Sequence, residues 1–222
     1  MNSLPRLCAA LLALVCVLPL TAFEGRVHFE MKSGRDSNEI AYAIKDQKAR
    51  IEWPGKEIPP AIIDGTKQEM MVLMPDQKMY MSLSFADTAQ MAKKGGKNEI
   101  EFVDTGETEV ILGRKCRKYE VRDKSSVTQV WGAEGMGTFM GQLGGGKMRG
   151  GADIAPWQRA LAEKGFFAMR VVGMNKRGKE TFRMEATKID ETSLADSLFE
   201  VPAGYQKFDM GGLMRGLIPG AR

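Results

Sequence analysis

Thioethers are the most unusual chemical groups in this sequence. Five of its sixteen methionines fall between Met70 and Met81. Methionine sulfur is a soft ligand that can bind Cu(I), and the flexible side chain also suits an irregular core or a surface that accepts varied apolar ligands. Leu73, Tyr80 and Leu83 are interleaved with these methionines, which favours packing or an apolar lining over a copper site.

The residues that most catalytic and metal chemistry needs are scarce. His28 is the only histidine, so neither a histidine-based catalytic triad nor a histidine-rich metal site is expected. Residues 141–147 have most of the spacing of a phosphate-binding loop, but Met148 stands where that motif needs a hydroxyl group. We therefore expect no catalytic residues, no cofactor and no enzyme activity.

The charge pattern argues against a polyanionic partner. The formal net charge is +4, and the 32 basic residues are interspersed with 28 acidic ones. Nucleic-acid binding requires clustered lysine and arginine with stacking aromatics. That class of function is not expected.

The first 22 residues have the pattern of an export signal. Arg6 precedes an apolar run over residues 7–18, and Ala22 lies at a plausible cleavage site. The run is short for a membrane span of about 20 residues, although an uncleaved anchor is the alternative. Cleavage near Ala22 would deliver the mature chain to the periplasm and leave Cys116 as its one cysteine. No intramolecular disulfide is then possible, and Cys116 is expected to be a small apolar residue within a strand.

The methionine-rich stretch is predicted to form a β-hairpin. Pro75 and Asp76 favour a turn, and a three-residue loop over Pro75–Gln77 would place Leu73 opposite Met79 and Met71 opposite Met81. Alternation would then bring five apolar side chains onto one face, namely Met71, Leu73, Met79, Met81 and Leu83. A slip of one residue would exchange the faces, so the register is a hypothesis.

The rest of the chain predicts a mainly β (α+β) protein. Alternating apolar segments separated by turn residues indicate about ten antiparallel strands, in a large curved sheet or an incomplete β-barrel. Gly113 is interpreted as a bulge within a strand, and Thr105-Gly106 as a turn. Two short helices are predicted, one after Ser84 and one after Pro156. We expect one domain over residues 23–208, with a flexible glycine-rich loop at 132–151 and a disordered tail at 209–222.

Several motifs occur together in a recognisable order. They are Phe23-Glu24-Gly25, Tyr42-x-Ile44-Lys45-Asp46-x-Lys48-x-Arg50-Ile51-Glu52, Met74-Pro75-Asp76-Gln77-Lys78-Met79-Tyr80-Met81, Ile111-Leu112-Gly113-x-Lys115-Cys116-x-Lys118-Tyr119 and Leu198-Phe199-Glu200-Val201-Pro202-Ala203-Gly204-Tyr205. This order resembles the bacterial family called domain of unknown function 4412. That family is similar to the periplasmic lipoprotein carriers LolA and LolB, in which a curved antiparallel sheet holds an apolar cavity under helices. The resemblance implies this fold and carries no catalytic residues.

The sequence therefore favours an exported, non-catalytic protein that binds a lipid, an acyl chain or a lipidated segment. The predicted lining is the apolar hairpin face, Met71, Leu73, Met79, Met81 and Leu83, with Phe85 and Trp157 from covering helices. Transient contact with a membrane or an envelope protein is expected. The alternative is an envelope scaffold whose sheet is filled by its own side chains and holds no ligand. A Cu(I)-binding protein is a third hypothesis.

Overall fold

The computed structural model describes residues 23–85, 101–124, 126–137 and 165–208. They form twelve strands: β1 (Gly25–Ser33), β2 (Asp36–Lys45), β3 (Lys48–Glu52), β4 (Ala61–Asp64), β5 (Glu69–Met74), β6 (Met79–Ser84), β7 (Glu101–Ile111), β8 (Arg114–Arg122), β9 (Ser126–Ala133), β10 (Phe167–Asn175), β11 (Glu180–Glu191) and β12 (Gln206–Lys207). Two short 3-10 helices cover Pro75–Gln77 and Asp196–Phe199. Within these ranges, no helix has the length and apolar character that crossing a membrane requires.

All twelve strands belong to one open sheet in the order β12-β6-β5-β4-β3-β2-β1-β11-β10-β9-β8-β7. Neighbouring strands are antiparallel except β12, which runs parallel to β6. The prediction of a mainly β protein with a large antiparallel sheet is confirmed, with twelve strands rather than about ten. The tight turns follow from residues that tolerate positive φ, as at Gly178 between β10 and β11.

Contacts between aromatic rings show that the sheet is curved. Strands β1 and β11 lie between β2 and β10, which would hold β2 and β10 roughly 14 Å apart in a flat sheet. The ring centroids of Tyr42 on β2 and Phe167 on β10 are nevertheless 6.3 Å apart, and Phe29 on β1 contacts both. All three side chains are buried. The interior beside β1 and β2 is therefore filled by the protein's own rings.

The second half of β2 and strands β3 to β5 are at least half-buried on both sides. On one side, here called the core side, a row of paired residues runs from Ile44 through Ala49 and Ile63 to Met70. On the opposite side, Ala43 packs with Leu194 and Phe199, while Ile62 lies in a cluster with residues further along the C-terminal segment. We define the C-terminal segment as residues 192–208. Two-sided burial explains why β4, Ala61–Asp64, is buried throughout.

Two sequence interpretations of the β7–β8 hairpin are wrong, because the predicted bulge is a turn and the predicted turn is a bulge. Gly113 is not a bulge, because it forms with Leu112 the two-residue turn between these strands, and both have positive φ. The irregularity lies instead at Thr105-Gly106, inside β7, where pairing shifts between Asp104 and Thr108. Thr105 Oγ1 donates a hydrogen bond to the Lys118 carbonyl oxygen at 2.9 Å, which stabilises the bulge locally.

The segment predicted as a glycine-rich loop, residues 132–151, overlaps the end of β9. Gly132 and Ala133 belong to β9, because they pair with β8 and β10, and Met136 is fully buried. The remainder of this loop lies outside the described residues. So do the predicted signal peptide at 1–22, the helix after Ser84 beyond Phe85, the helix after Pro156 and the tail at 209–222.

Cys116 lies in β8 and is fully buried, as expected for a small apolar residue in a strand. Burial raises the pKa of its thiol. A raised pKa leaves less thiolate, which is the reactive form.

Candidate ligand-binding site

The methionine-rich hairpin is present, but the predicted register is wrong by one residue. Met74 pairs with Met79, Leu73 with Tyr80 and Met71 with Ser82. The reason is the turn, which contains four residues rather than three. Lys78 adopts a left-handed conformation with φ 49° after the 3-10 turn, and its N–H donates to the Pro75 carbonyl oxygen at 3.1 Å. A lysine that occupies this conformation gives no clear signal in the sequence.

The corrected register divides the predicted lining between the two sides of the sheet. Met71 and Leu73 are buried on the side of the C-terminal segment, in a cluster with Ile62. Met79, Met81 and Leu83 are opposite Met74, Val72 and Met70, and Met70 packs against the main core. The five side chains therefore do not form one face.

The core side of β5 and β6 carries an apolar surface that differs from the predicted one. We call it the methionine surface: Met70, Val72, Met74, Met79, Met81 and Leu83. All six residues are half-buried, and Ile63 and Ala61, their neighbours on β4, are buried. Phe85, which follows β6, is also half-buried against the main core. Trp157 lies outside the described residues, so its predicted place in the lining stays a prediction.

The methionine surface has the chemistry of an apolar contact area. Four of its six side chains are flexible thioethers, which adapt to ligands of irregular shape. Among the residues that the structure describes, no three His, Cys, Asp or Glu side chains are grouped to hold a metal ion. Further along the sheet, the buried rings of Phe29, Tyr42 and Phe167 pack together beside β1 and β2, and burial strongly raises the pKa of the Tyr42 hydroxyl.

The opposite side of these strands is covered by the C-terminal segment. Lys45 Nζ lies 2.8 Å from the Asp196 carboxylate and 3.4 Å from that of Glu24, and it donates a hydrogen bond to the Leu194 carbonyl oxygen at 2.8 Å. The Leu194 N–H donates to Glu24 Oε1 at 2.5 Å. Further along, the Phe208 N–H donates to the Tyr80 carbonyl oxygen at 2.7 Å. The segment is thus attached at both ends.

We expect the attachment at Lys45 to weaken in acid. The Leu194 hydrogen bond and Lys45 lower the pKa of Glu24 below its ordinary 4.5, and the hydrogen bond from Lys45 lowers that of Asp196 below 3.8. Lowered folded-state values mean that the stabilisation is present above the ordinary values and is lost as the pH falls through the lowered ones. Lys45→Met should destabilise the protein at pH 6. The difference between its free energy of unfolding and that of the wild type should become smaller toward pH 2. Urea unfolding across this range measures the difference.

The matched control for this prediction is Lys176→Met, since Lys176 is an exposed lysine in the β10–β11 turn. Its free energy of unfolding should stay close to that of the wild type at every pH. If Lys45→Met lowered the free energy of unfolding by the same amount at pH 6 and at pH 2, the two carboxylates would not act through Lys45.

A cleft of about 360 Å³ lies between strands β3–β6 and the C-terminal segment. Met71, Tyr80, Phe199 and Val201 contribute its apolar and aromatic lining, and its charged residues are Lys48, Asp64, Lys67, Glu69, Glu200 and Lys207. Sequence reasoning missed this site. Residues far apart in the chain meet there, and no periodic or motif signal connects β4 with Phe199 or Lys207.

Comparison with known proteins identifies the family. The chain matches the family described as "Domain of unknown function (DUF4412)" over residues 23–205 and belongs to it, which confirms the resemblance derived from the motifs. No curated protein matches the chain.

Solved structures that are similar to this chain share little sequence identity with it. PNGF-II is 18% identical with a TM-score of 0.52, and the match covers 87% of this chain but 32% of PNGF-II. The MucA/MucB complex of Pseudomonas aeruginosa is 10% identical with a TM-score of 0.44, covering 81% of this chain and 56% of the other. A domain from Vibrio parahaemolyticus, described as a putative outer membrane lipoprotein-sorting protein domain, is 9% identical with a TM-score of 0.35, covering 82% and 90%. The likeness to PNGF-II, at 18% identity, concerns the fold alone.

Proposed function

We propose that this protein is an exported, non-catalytic envelope protein that binds a lipid, an acyl chain or a lipidated segment on the methionine surface. The observation that carries the proposal is this surface, where six half-buried apolar residues continue the buried core onto two strands. Export and a periplasmic location rest on the signal pattern of residues 1–22.

The energetics favour an apolar ligand. Each methylene group removed from water contributes about 0.8 kcal/mol, so an acyl chain that covers several of these side chains gains a useful affinity. The methionines of β5 and β6 would adapt to the chain, because their unbranched side chains can change rotamer at low cost. Met81 lies near the middle of the surface, opposite Val72, and would contact such a ligand directly.

A scaffold without a ligand is the second candidate, and one observation favours it. The rings of Phe29, Tyr42 and Phe167 fill the interior beside β1 and β2. In that case the half-buried methionines would contact a partner protein or other parts of the chain. A Cu(I) site is the third candidate, and Met74 paired with Met79 is its natural location.

Native mass spectrometry of the gently purified protein and titration with a fluorescent fatty acid test the proposal. We expect co-purified lipid in the wild type and probe binding that is weakened roughly tenfold or more in Met81→Asp, which is about 1.4 kcal/mol. The physical reason is that a carboxylate cannot be covered by an acyl chain without losing its hydration.

Val110→Asp is the matched control, because Val110 is an apolar strand residue that is 68% exposed and lies on β7 at the far edge of the sheet. It should bind lipid as the wild type does. Absence of both co-purified lipid and probe binding in the wild type would overturn the proposal in favour of the scaffold. If folded Met81→Asp bound the probe as tightly as the wild type does, the ligand would bind at a site other than the methionine surface. Cu(I) titration of the wild type that leaves the protein metal-free would dismiss the third candidate.

A further inference from the structure

The cleft under the C-terminal segment is built from two different kinds of surface. Met71 and Phe199 are buried apolar residues at its base, and Tyr80 is half-buried beside them. Three lysines and three carboxylates also line the cleft. The volume of about 360 Å³ is at the small end of the range for ligand sites. Such a site suits a small amphiphile and is too small for a whole membrane lipid.

Two of the carboxylates in the cleft are already satisfied by neighbouring donors. Asp64 is 2% exposed and accepts hydrogen bonds from the Thr66 N–H at 3.0 Å, the Thr66 hydroxyl at 2.5 Å and the Lys67 N–H at 3.1 Å. Burial alone would raise the pKa of Asp64, but these hydrogen bonds outweigh it and lower the pKa. Glu69 accepts a hydrogen bond from the Ser82 hydroxyl at 3.0 Å.

Among the residues that the structure describes, two of the lysines in the cleft lack an ion-pair partner, whereas Lys67 Nζ lies 3.7 Å from the Asp64 carboxylate. Across the described ranges, the ion pairs within 4.0 Å include neither Lys48 nor Lys207. Lys48 is half-buried and acts on Asp196 at longer range, and that carboxylate already contacts Lys45 at 2.8 Å. Glu200 and Lys207 are both exposed to solvent, where charge is screened. The lining therefore holds three lysines and three carboxylates, and within the described residues Lys48 and Lys207 are the two of these lysines that have no carboxylate within 4.0 Å.

We propose that this cleft binds a small amphipathic anion, with its charged group held by Lys48 and Lys207 and its apolar part covering Met71 and Tyr80. The cleft lies on the opposite side of β5 from the methionine surface, as the alternation along that strand requires. The inference is therefore independent of the proposed function, and either can fail without the other.

Isothermal titration of the purified chain with octanoate, octyl phosphate, 1-octanol and octylamine tests the inference. We expect both anions to bind, the neutral alcohol to bind at least about tenfold more weakly and the cation not to bind, because only the anions pair with the lysines. The stronger anion identifies the charged group as a carboxylate or a phosphate. Lys48→Gln combined with Lys207→Gln should weaken binding of the anions roughly tenfold or more.

The control combines Lys176→Gln with Lys179→Gln, two exposed lysines near the β10–β11 turn. It removes the same net charge and should bind as the wild type does. Met81→Asp should also bind the anions normally. Any of three results would overturn the inference. Octanoate and 1-octanol could bind equally, the two double lysine variants could weaken anion binding equally, or no probe could bind. Urea unfolding of every variant separates loss of binding from loss of folding.

Discussion

Phe29→Ala is expected to destabilise the protein by about 3–5 kcal/mol, the range found when a buried aromatic ring is removed from a packed core. Phe29 is 1% exposed, and its ring contacts those of Tyr42 and Phe167 at centroid distances of 5.4 Å and 6.0 Å. Truncation would leave a cavity that these two rings, held on strands β2 and β10, cannot close. Urea unfolding followed by tryptophan fluorescence measures the change.

Met81→Ala is the variant with which the stability loss of Phe29→Ala should be compared. Met81 is half-buried on the methionine surface, so its truncation should cost roughly 1 kcal/mol, because much of the side chain already contacts water or a ligand. A small effect at Phe29, similar to that at Met81, would mean that the interior beside β1 is loosely filled. The ligand site would then extend into the centre of the sheet.

Arg170→Ala is expected to destabilise the protein by about 2–4 kcal/mol. The Arg170 side chain is 17% exposed and lies over the Trp131 ring, 5.1 Å from its centroid. It donates to Glu185 at 2.6 Å and 2.7 Å, and to Glu109 at 2.8 Å and 3.0 Å. Glu109 belongs to β7, three strands away from β10. Removal of the guanidinium would leave two neighbouring carboxylates without their shared cation and would expose the indole.

Arg122→Ala is the control, because Arg122 is another strand arginine that bridges two carboxylates, those of Glu120 and Glu101, and is 45% exposed. Exposed pairs contribute little, so a change below about 1 kcal/mol is expected. Arg170→Lys should recover only part of the stability, since an ammonium group cannot bond both carboxylates in the same planar geometry. Equal losses for Arg170→Ala and Arg122→Ala would show that burial adds nothing to the network. Thermal or urea unfolding decides between these outcomes.

The two proposed binding sites lie on opposite sides of strands β4–β6. The core side carries the methionine surface, and the other side carries the C-terminal segment with its cleft. Because β12 pairs with Met79 and Tyr80 on β6, it also covers part of an edge strand that would otherwise present unpaired backbone groups.

The sequence by itself determined most of the strands, most turns and the family. Alternation in β1 and the Gly178 turn are local signals: a period of two follows from strand geometry, and positive φ follows from the missing Cβ of glycine. Burial of Cys116 was also predicted, since it lies within an alternating strand. The family resemblance came from motifs along the chain, and it covers residues 23–205.

Only the tertiary structure decided which side of β5 and β6 faces the core. One lysine, Lys78, adopts a left-handed conformation, and this single dihedral moves Met71 and Leu73 away from Met79, Met81 and Leu83. Burial of β4 on both sides and the cleft at Lys48 and Lys207 depend on where residues 192–208 return across the sheet. Local patterns cannot encode these features, because pairing register and long-range packing depend on the free energy of contacts between distant residues.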